Sequence, residues 1–153
     1  MSQIEHPKPL FLDELSIGQK FTSASYGISE AEIKEFACRF DPQPFHLDDE
    51  AAKSTLFRGL AASGWHTAAV TMRLLVQGGA PLAGGIVGAG SEIEWPYPVR
   101  PGDVLHVESE VIEIIPSRSK PNQGIVRMRS ETKNQNGKVV QVLTAKLVVP
   151  RRS

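Results

Sequence analysis

The chain has 153 residues, 17 Lys and Arg against 17 Asp and Glu, four His and a single cysteine, Cys38. That length fits one domain with a core of its own, the lone cysteine excludes an intrachain disulfide, and balanced charge without a block of like sign argues against a nucleic-acid partner. Met1 to Pro9 lacks the apolar segment of a signal peptide, and no run approaches the ~20 apolar residues of a spanning helix, so the expectation is a soluble, cytoplasmic protein with no membrane partner.

Residues 1–11 are proline-rich and predict an extended arm over the domain, with His6 in it; the chain then becomes turn-like up to Gln19. Lys20 to Tyr26 alternates loosely around Phe21 and Tyr26 and predicts a first strand. Ser29 with Glu32 has the spacing of a capping box. Ile33, Phe36, Ala37 and Phe40 keep a helical period, and Asp41-Pro42 stops that helix. Cys38 reads as a half-buried small hydrophobe, with a nucleophile as the alternative.

Between Asp41 and His46 stand Pro42 and Pro44. Proline holds its own φ at about −65° and pushes the preceding residue out of the α region. The segment is therefore expected to be a stiff extended turn, not a helix, holding an acid and an imidazole at one mouth. Asp48 or Asp49 can cap a short helix through Ala51, Ala52 and Leu56, broken at Phe57-Arg58-Gly59. The longest helical candidate follows, at about residues 61–77. Its first half is small and apolar nearly all round, as in a buried helix. Gly78-Gly79-Ala80-Pro81 ends it.

Residues 82–90 form a glycine-rich apolar lead-in, where glycines thin a strand. Ser91 to Trp95 alternates and stops at Pro96 and Pro98, and Arg100-Pro101-Gly102-Asp103 is a turn. Strands are predicted over 104–115, 125–133 and 139–149, the last two joined by an Asn136-Gly137 hairpin. This order is an α+β layout, a curved antiparallel sheet against one central helix. One helix on one face leaves sheet edges open, which predicts a homodimer or a higher homo-oligomer.

The chemistry concentrates in Asp41 and His46, followed by a helix start, at Ser63 and Gly64, that can hold an oxyanion. Taken singly, Asp41 could end a helix and His46 could be a packed histidine; together they favour acid–base work. Ser63 either donates into the pocket, orients a catalytic side chain or simply packs at the helix start. No nucleophile elbow surrounds it. Trp65 and His66 are further pocket candidates, His66 having a structural histidine as its alternative. His106 reads as an exposed strand residue. One imidazole beside Asp41, Asp48, Asp49 and Glu50 is a poor metal set, so no metal is expected.

Asp41-Pro-Gln-Pro-Phe-His46, then Phe57-Arg-Gly59 and Ala62-Ser-Gly64, and later Trp95-Pro-Tyr-Pro-Val-Arg-Pro-Gly-Asp103, resemble the MaoC-like dehydratases, the (R)-specific enoyl-CoA hydratases of the hot-dog fold. The resemblance spans about residues 12–149. It implies a sheet wrapped around a central helix, with the Asp/His segment overhanging. It also implies syn addition of water to trans-2-enoyl-CoA, and the reverse dehydration, in fatty acid metabolism. Asp41 and His46 would be the catalytic pair, and the Gly64 N–H would bind the thioester oxygen. No cofactor is needed for that scheme. Arg118 and Lys120 could meet the phosphates of coenzyme A, or be solvated loop charges. Two positions depart from the family pattern. Gln43 stands where Asn is usual and lengthens the reach of the amide; Ser63 stands where many members have His. A hot-dog acyl-CoA thioesterase is the alternative, but such enzymes usually carry an acid on the central helix, and residues 65–77 contain none. A non-catalytic acyl-thioester-binding subunit is the other.

Overall fold

The computed structural model describes residues 7–152. Its frame is built by the alternating segments of the second half. β4 (Val104–Pro116), β5 (Gln123–Lys133) and β6 (Val139–Pro150) pair antiparallel, with Val107 opposite Thr132 and Thr132 opposite Gln141. The Asn134 side chain accepts from the N–H groups of Asn136 and Lys138, and Gly137 has a φ of 76°, which closes the expected hairpin. β3 (Gly88–Glu94) pairs with the far side of β6, and β1 (Lys20–Thr22) with the far side of β4. The sheet order is β1-β4-β5-β6-β3, with β2 (Tyr26–Gly27) on the start of β4.

The single strand expected over 20–26 is thus two. Ser23 uses both its N–H and its hydroxyl on Val107, accepting the Val107 N–H at 2.8 Å, and the chain bends away before β2. β3 starts three residues earlier than residue 91 and ends before Trp95.

α4 (Gly64–Gly78) lies against the inner sheet face. Val70, Leu74 and Leu75 pack with Ile33 of α1 (Glu30–Phe40), Leu105, Val107 and Val140 in the main core. A second cluster gathers Leu12, Leu82, Val111, Val126, Met128 and Val149. α4 begins at Gly64 rather than residue 61, because Ser63 is its N-cap and accepts from the Trp65 N–H. Residues 61 and 62 are tied instead to Phe45 and Val99. Nor is α4 buried all round: Trp65, Met72 and Val76 are exposed along one side.

Other expectations are corrected. Residues 41–46 are not wholly extended, since α2 (Pro44–Leu47) is a single helical turn. Pro44 sits at its first position, where a missing N–H leaves no hydrogen bond unmade. Ser29 caps α1 through the Glu32 N–H, but the Glu32 carboxylate accepts from the Tyr26 hydroxyl, so the capping box is half formed. Asp48, not Asp49, caps α3 (Asp49–Lys53), which ends before Leu56 and leaves it fully exposed. The buried face of α1 holds Ile33 and Ala37, so Cys38 and Phe40 turn outward. Of the expected arm, residues 1–6 with His6 lie outside the described residues; Leu10 lies along residues 81–83, exchanging main-chain hydrogen bonds with Pro81 and Ala83. No helix of the described residues is long and apolar enough to cross a membrane.

Candidate active site

Two consecutive helix ends bring the polar groups together. Asp41 follows α1 as its C-cap, and its N–H bonds the Ala37 carbonyl. Two residues of extended chain and the α2 turn then carry His46 back beside it. His46 Nε2 stands 3.3 Å from Asp41 Oδ2. Its Nδ1 lies 2.6 Å from the Ala61 carbonyl oxygen. A carbonyl only accepts, so Nδ1 carries a proton, and Nε2 is the ring nitrogen that faces Asp41.

Both oxygens of Asp41 are held by donors. Gln43 Nε2 donates to Oδ1 at 2.5 Å, and the Ser63 hydroxyl donates to Oδ2 at 2.7 Å. Burial pushes this carboxyl upward, but the Gln43 and Ser63 hydrogen bonds, with His46 nearby, outweigh it and leave the pKa below the ordinary carboxylate value. Ser63, fully buried, therefore ties Asp41 to the start of α4 while capping that helix.

The next residue, Gly64, faces a cavity of about 300 Å³ whose walls include His46, Phe57, Trp95, Tyr97 and Val140. Among the described residues its N–H finds no acceptor, as expected of the first N–H groups of a helix. The ring of Trp95 lies against it: a Cβ at residue 64 would stand 2.7 Å from two indole carbons. Trp95 is pinned by its Nε1, which donates to Gln141 Oε1 at 2.9 Å.

Asp41, Gln43, His46, Ser63 and Gly64 are thus brought together. Other candidates are not. Trp65 is exposed and meets the edge of Trp95. His66 is buried on another side of α4, stacked on Phe36 with ring centroids 4.6 Å apart. Its Nδ1 has no partner among the described residues, and burial pushes its pKa down. His106 is half-buried and meets Glu108 at 3.0 Å. Arg118 and Lys120 lie in the β4–β5 hairpin, beyond Pro116. The cavity lies by Val99 and Val140, at the other end of the sheet. The intervening β4 has 13 residues, up to roughly 40 Å of strand. Phe57 and the Ala61 carbonyl were not singled out as site groups by sequence, because proximity to His46 arises only when residues 57–62 fold back over α2. Among the described residues, no group of three or more His, Cys, Asp or Glu side chains is placed to hold a metal ion.

A family model for the MaoC-like domain matches residues 14–134. The chain belongs to the MaoC-like domain family. Its sheet-and-helix architecture is the hot-dog fold of that family's solved structures. The MaoC-like dehydratase from Rhodospirillum rubrum is 61% identical and superposes with a TM-score of 0.93, covering 94% of this chain and 99% of the other. The R-hydratase PhaJ1 from Pseudomonas aeruginosa, in its unliganded form, is 31% identical with a TM-score of 0.75, covering 94% and 88%. Among curated relatives, the uncharacterized protein YdeM of Bacillus subtilis (strain 168) is 37% identical, covering 90% of this chain and 96% of its own length. The 3-hydroxybutyryl-CoA dehydratase of Methylorubrum extorquens is 32% identical over 72% of this chain and 69% of its own. The relatives of this MaoC-like chain thus include a dehydratase and an R-hydratase.

Proposed function

We propose that this MaoC-like protein is a hydro-lyase that adds water syn across trans-2-enoyl-CoA to give (R)-3-hydroxyacyl-CoA, reversibly. The observation that carries this is the facing pair Asp41 Oδ2 and His46 Nε2, with His46 and Gly64, whose N–H has no acceptor among the described residues, on one cavity. The 3-hydroxybutyryl-CoA dehydratase of Methylorubrum extorquens and the R-hydratase of Pseudomonas aeruginosa, as relatives, support it.

Asp41, held ionised by Gln43 and Ser63, is a weak base and a good acceptor. It orients the water. His46 Nε2 takes one water proton while the hydroxyl bonds to C3 of the enoyl group. The electron pair moves through C2 to the thioester oxygen, which accepts from the Gly64 N–H at the helix start. The imidazolium, offset by Asp41, then returns its proton to C2 on the same face. Water is fully accounted for: its hydroxyl ends on C3 and its hydrogen on C2. Positioned proton transfer of this kind contributes typically about 10²–10⁴-fold. The scheme calls for no metal or organic cofactor. On this reading the enzyme works in the cytoplasm, in fatty acid metabolism, as a homodimer or higher homo-oligomer.

The test follows the enoyl-thioester absorbance with crotonyl-CoA and longer chains. Asp41→Asn and His46→Ala should each lower kcat by about 10²–10⁴-fold. Hydration that survives both substitutions refutes the assignment. Release of free thiol without hydration would make the protein a thioesterase, and binding without either reaction an acyl-thioester-binding subunit.

A further inference from the structure

Arg100 opens the turn after the Trp95–Val99 wall, and its guanidinium has an unusual set of partners. It donates to three main-chain carbonyls of one short segment: Phe57 O, Gly59 O at 2.9 Å and Leu60 O at 3.1 Å. Among the described residues no carboxylate pairs with it. Its own N–H is held by Asp103 Oδ2 at 2.8 Å, and Asp103 Oδ1 is held by Gln135 Nε2 at 2.9 Å. The cation is therefore anchored to the sheet at its main chain and grips the loop with its head group.

That loop turns sharply. Arg58 has a φ of 56°, the one positive value at a non-glycine position among the described residues. The turn leaves several carbonyls to be satisfied together, which suits a planar fork of five donors better than the point charge of a lysine. The segment then touches His46 twice. The Phe57 ring lies 5.7 Å from the imidazole, centroid to centroid. Ala61, next after Leu60, supplies the carbonyl that holds His46 Nδ1 at 2.6 Å, and its N–H bonds the Phe45 carbonyl at 3.1 Å.

We infer that Arg100 is a positioning residue that acts through His46. By gathering the carbonyls of Phe57, Gly59 and Leu60 it sets where the Ala61 carbonyl points, and so keeps the imidazole proton on Nδ1 and the lone pair on Nε2. The consequence for rate rests on the hydratase reading; the consequence for the imidazole does not.

The experiment compares wild type, Arg100→Ala and Arg100→Lys, with Arg127→Ala as a control that removes an arginine bonded to Glu113 on β4, away from the loop. The ring nitrogens of His46 are read by ¹⁵N NMR at a pH where the ring is neutral, and folding by circular dichroism and thermal melting. In wild type and Arg127→Ala the Nδ1–H form dominates. In Arg100→Ala the two tautomers mix, kcat for enoyl-thioester hydration falls on the order of tenfold to a hundredfold, and KM changes less. Arg100→Lys lies between. A folded Arg100→Ala protein that keeps the Nδ1–H form overturns the inference, and so does a loss of rate with unchanged His46 signals. Should Arg100→Ala fail to fold, Arg100→Lys is decided by the same signals. If wild type hydrates no enoyl thioester, the hydratase reading fails while the His46 nitrogens still decide the role of Arg100.

Discussion

Asp41 is a carboxylate under opposed pressures. Burial raises its pKa, and donors from Gln43 and Ser63, with His46 alongside, lower it further than burial raises it. Both departures from the usual family pattern thus converge on one side chain: the longer amide of Gln43 reaches Oδ1, and the Ser63 hydroxyl reaches Oδ2. Ser63→Ala removes a hydrogen bond made to the charged form, so the Asp41 midpoint must move up. Titration of the labelled Asp41 carboxyl carbon by NMR should show that upward shift, and Ser63→Thr, which keeps a hydroxyl, should restore the lower midpoint. The alanine variant should also melt lower, by about 1 kcal/mol for a lost helix cap. A midpoint that stays put means Ser63 acts on α4 alone. From sequence, Ser63 could equally have faced the pocket, oriented a side chain or merely packed, since residues 41 and 63 become neighbours only through the fold.

At the scale of elements, the start of α4 and the segment after β3 are mutually fitted. Gly64 leaves room for Trp95, which the Gln141 side chain pins in place. Gly64→Ala would set a methyl 2.7 Å from the indole carbons, and neither the helix start nor the pinned ring can yield freely. That variant should lose about 1–3 kcal/mol of stability in thermal or urea melts and at least about tenfold in kcat/KM, as the oxyanion contact shifts. Wild-type kinetics in Gly64→Ala would remove Gly64 from the proposed site. Element types were otherwise well legible where period and caps agreed, as in α1 and β4–β6. The miss at α2 has a local cause: Pro44 forbids a helix that continues through it but suits one that begins at it.

For the whole molecule, the surface left uncovered is as informative as the core. Trp65 is 59% exposed, Met72 40% and Val76 67%, spaced so that they share one stripe of α4. β3, at the end of the sheet order, has exposed residues nearly throughout and, among the described residues, one edge without a strand partner. An apolar stripe and an open strand edge are surfaces that a second copy can cover symmetrically. Wild type should therefore sediment at the mass of a homodimer or a higher multiple. Val76→Glu combined with Met72→Lys should shift it toward monomer at unchanged circular dichroism. Wild type at monomer mass across the micromolar range would refute the pairing.

The sequence by itself determined the α+β class, the three long strands and their Asn-Gly turn, the cap at Ser29, and the family resemblance that the MaoC-like match bears out. These rest on local spacing: side-chain period, cap chemistry and turn chemistry act within a few residues. Tertiary structure alone decided which polar groups meet. Asp41 meets Ser63 across 22 residues of chain, His46 meets the Ala61 carbonyl across 15, and Arg100 reaches Gly59 across 41. It also separated His66, Arg118 and Lys120 from the Asp41–His46 pair. Contacts at such separations are set by how helix and sheet pack to bury apolar surface, and that packing leaves no periodic mark in the sequence.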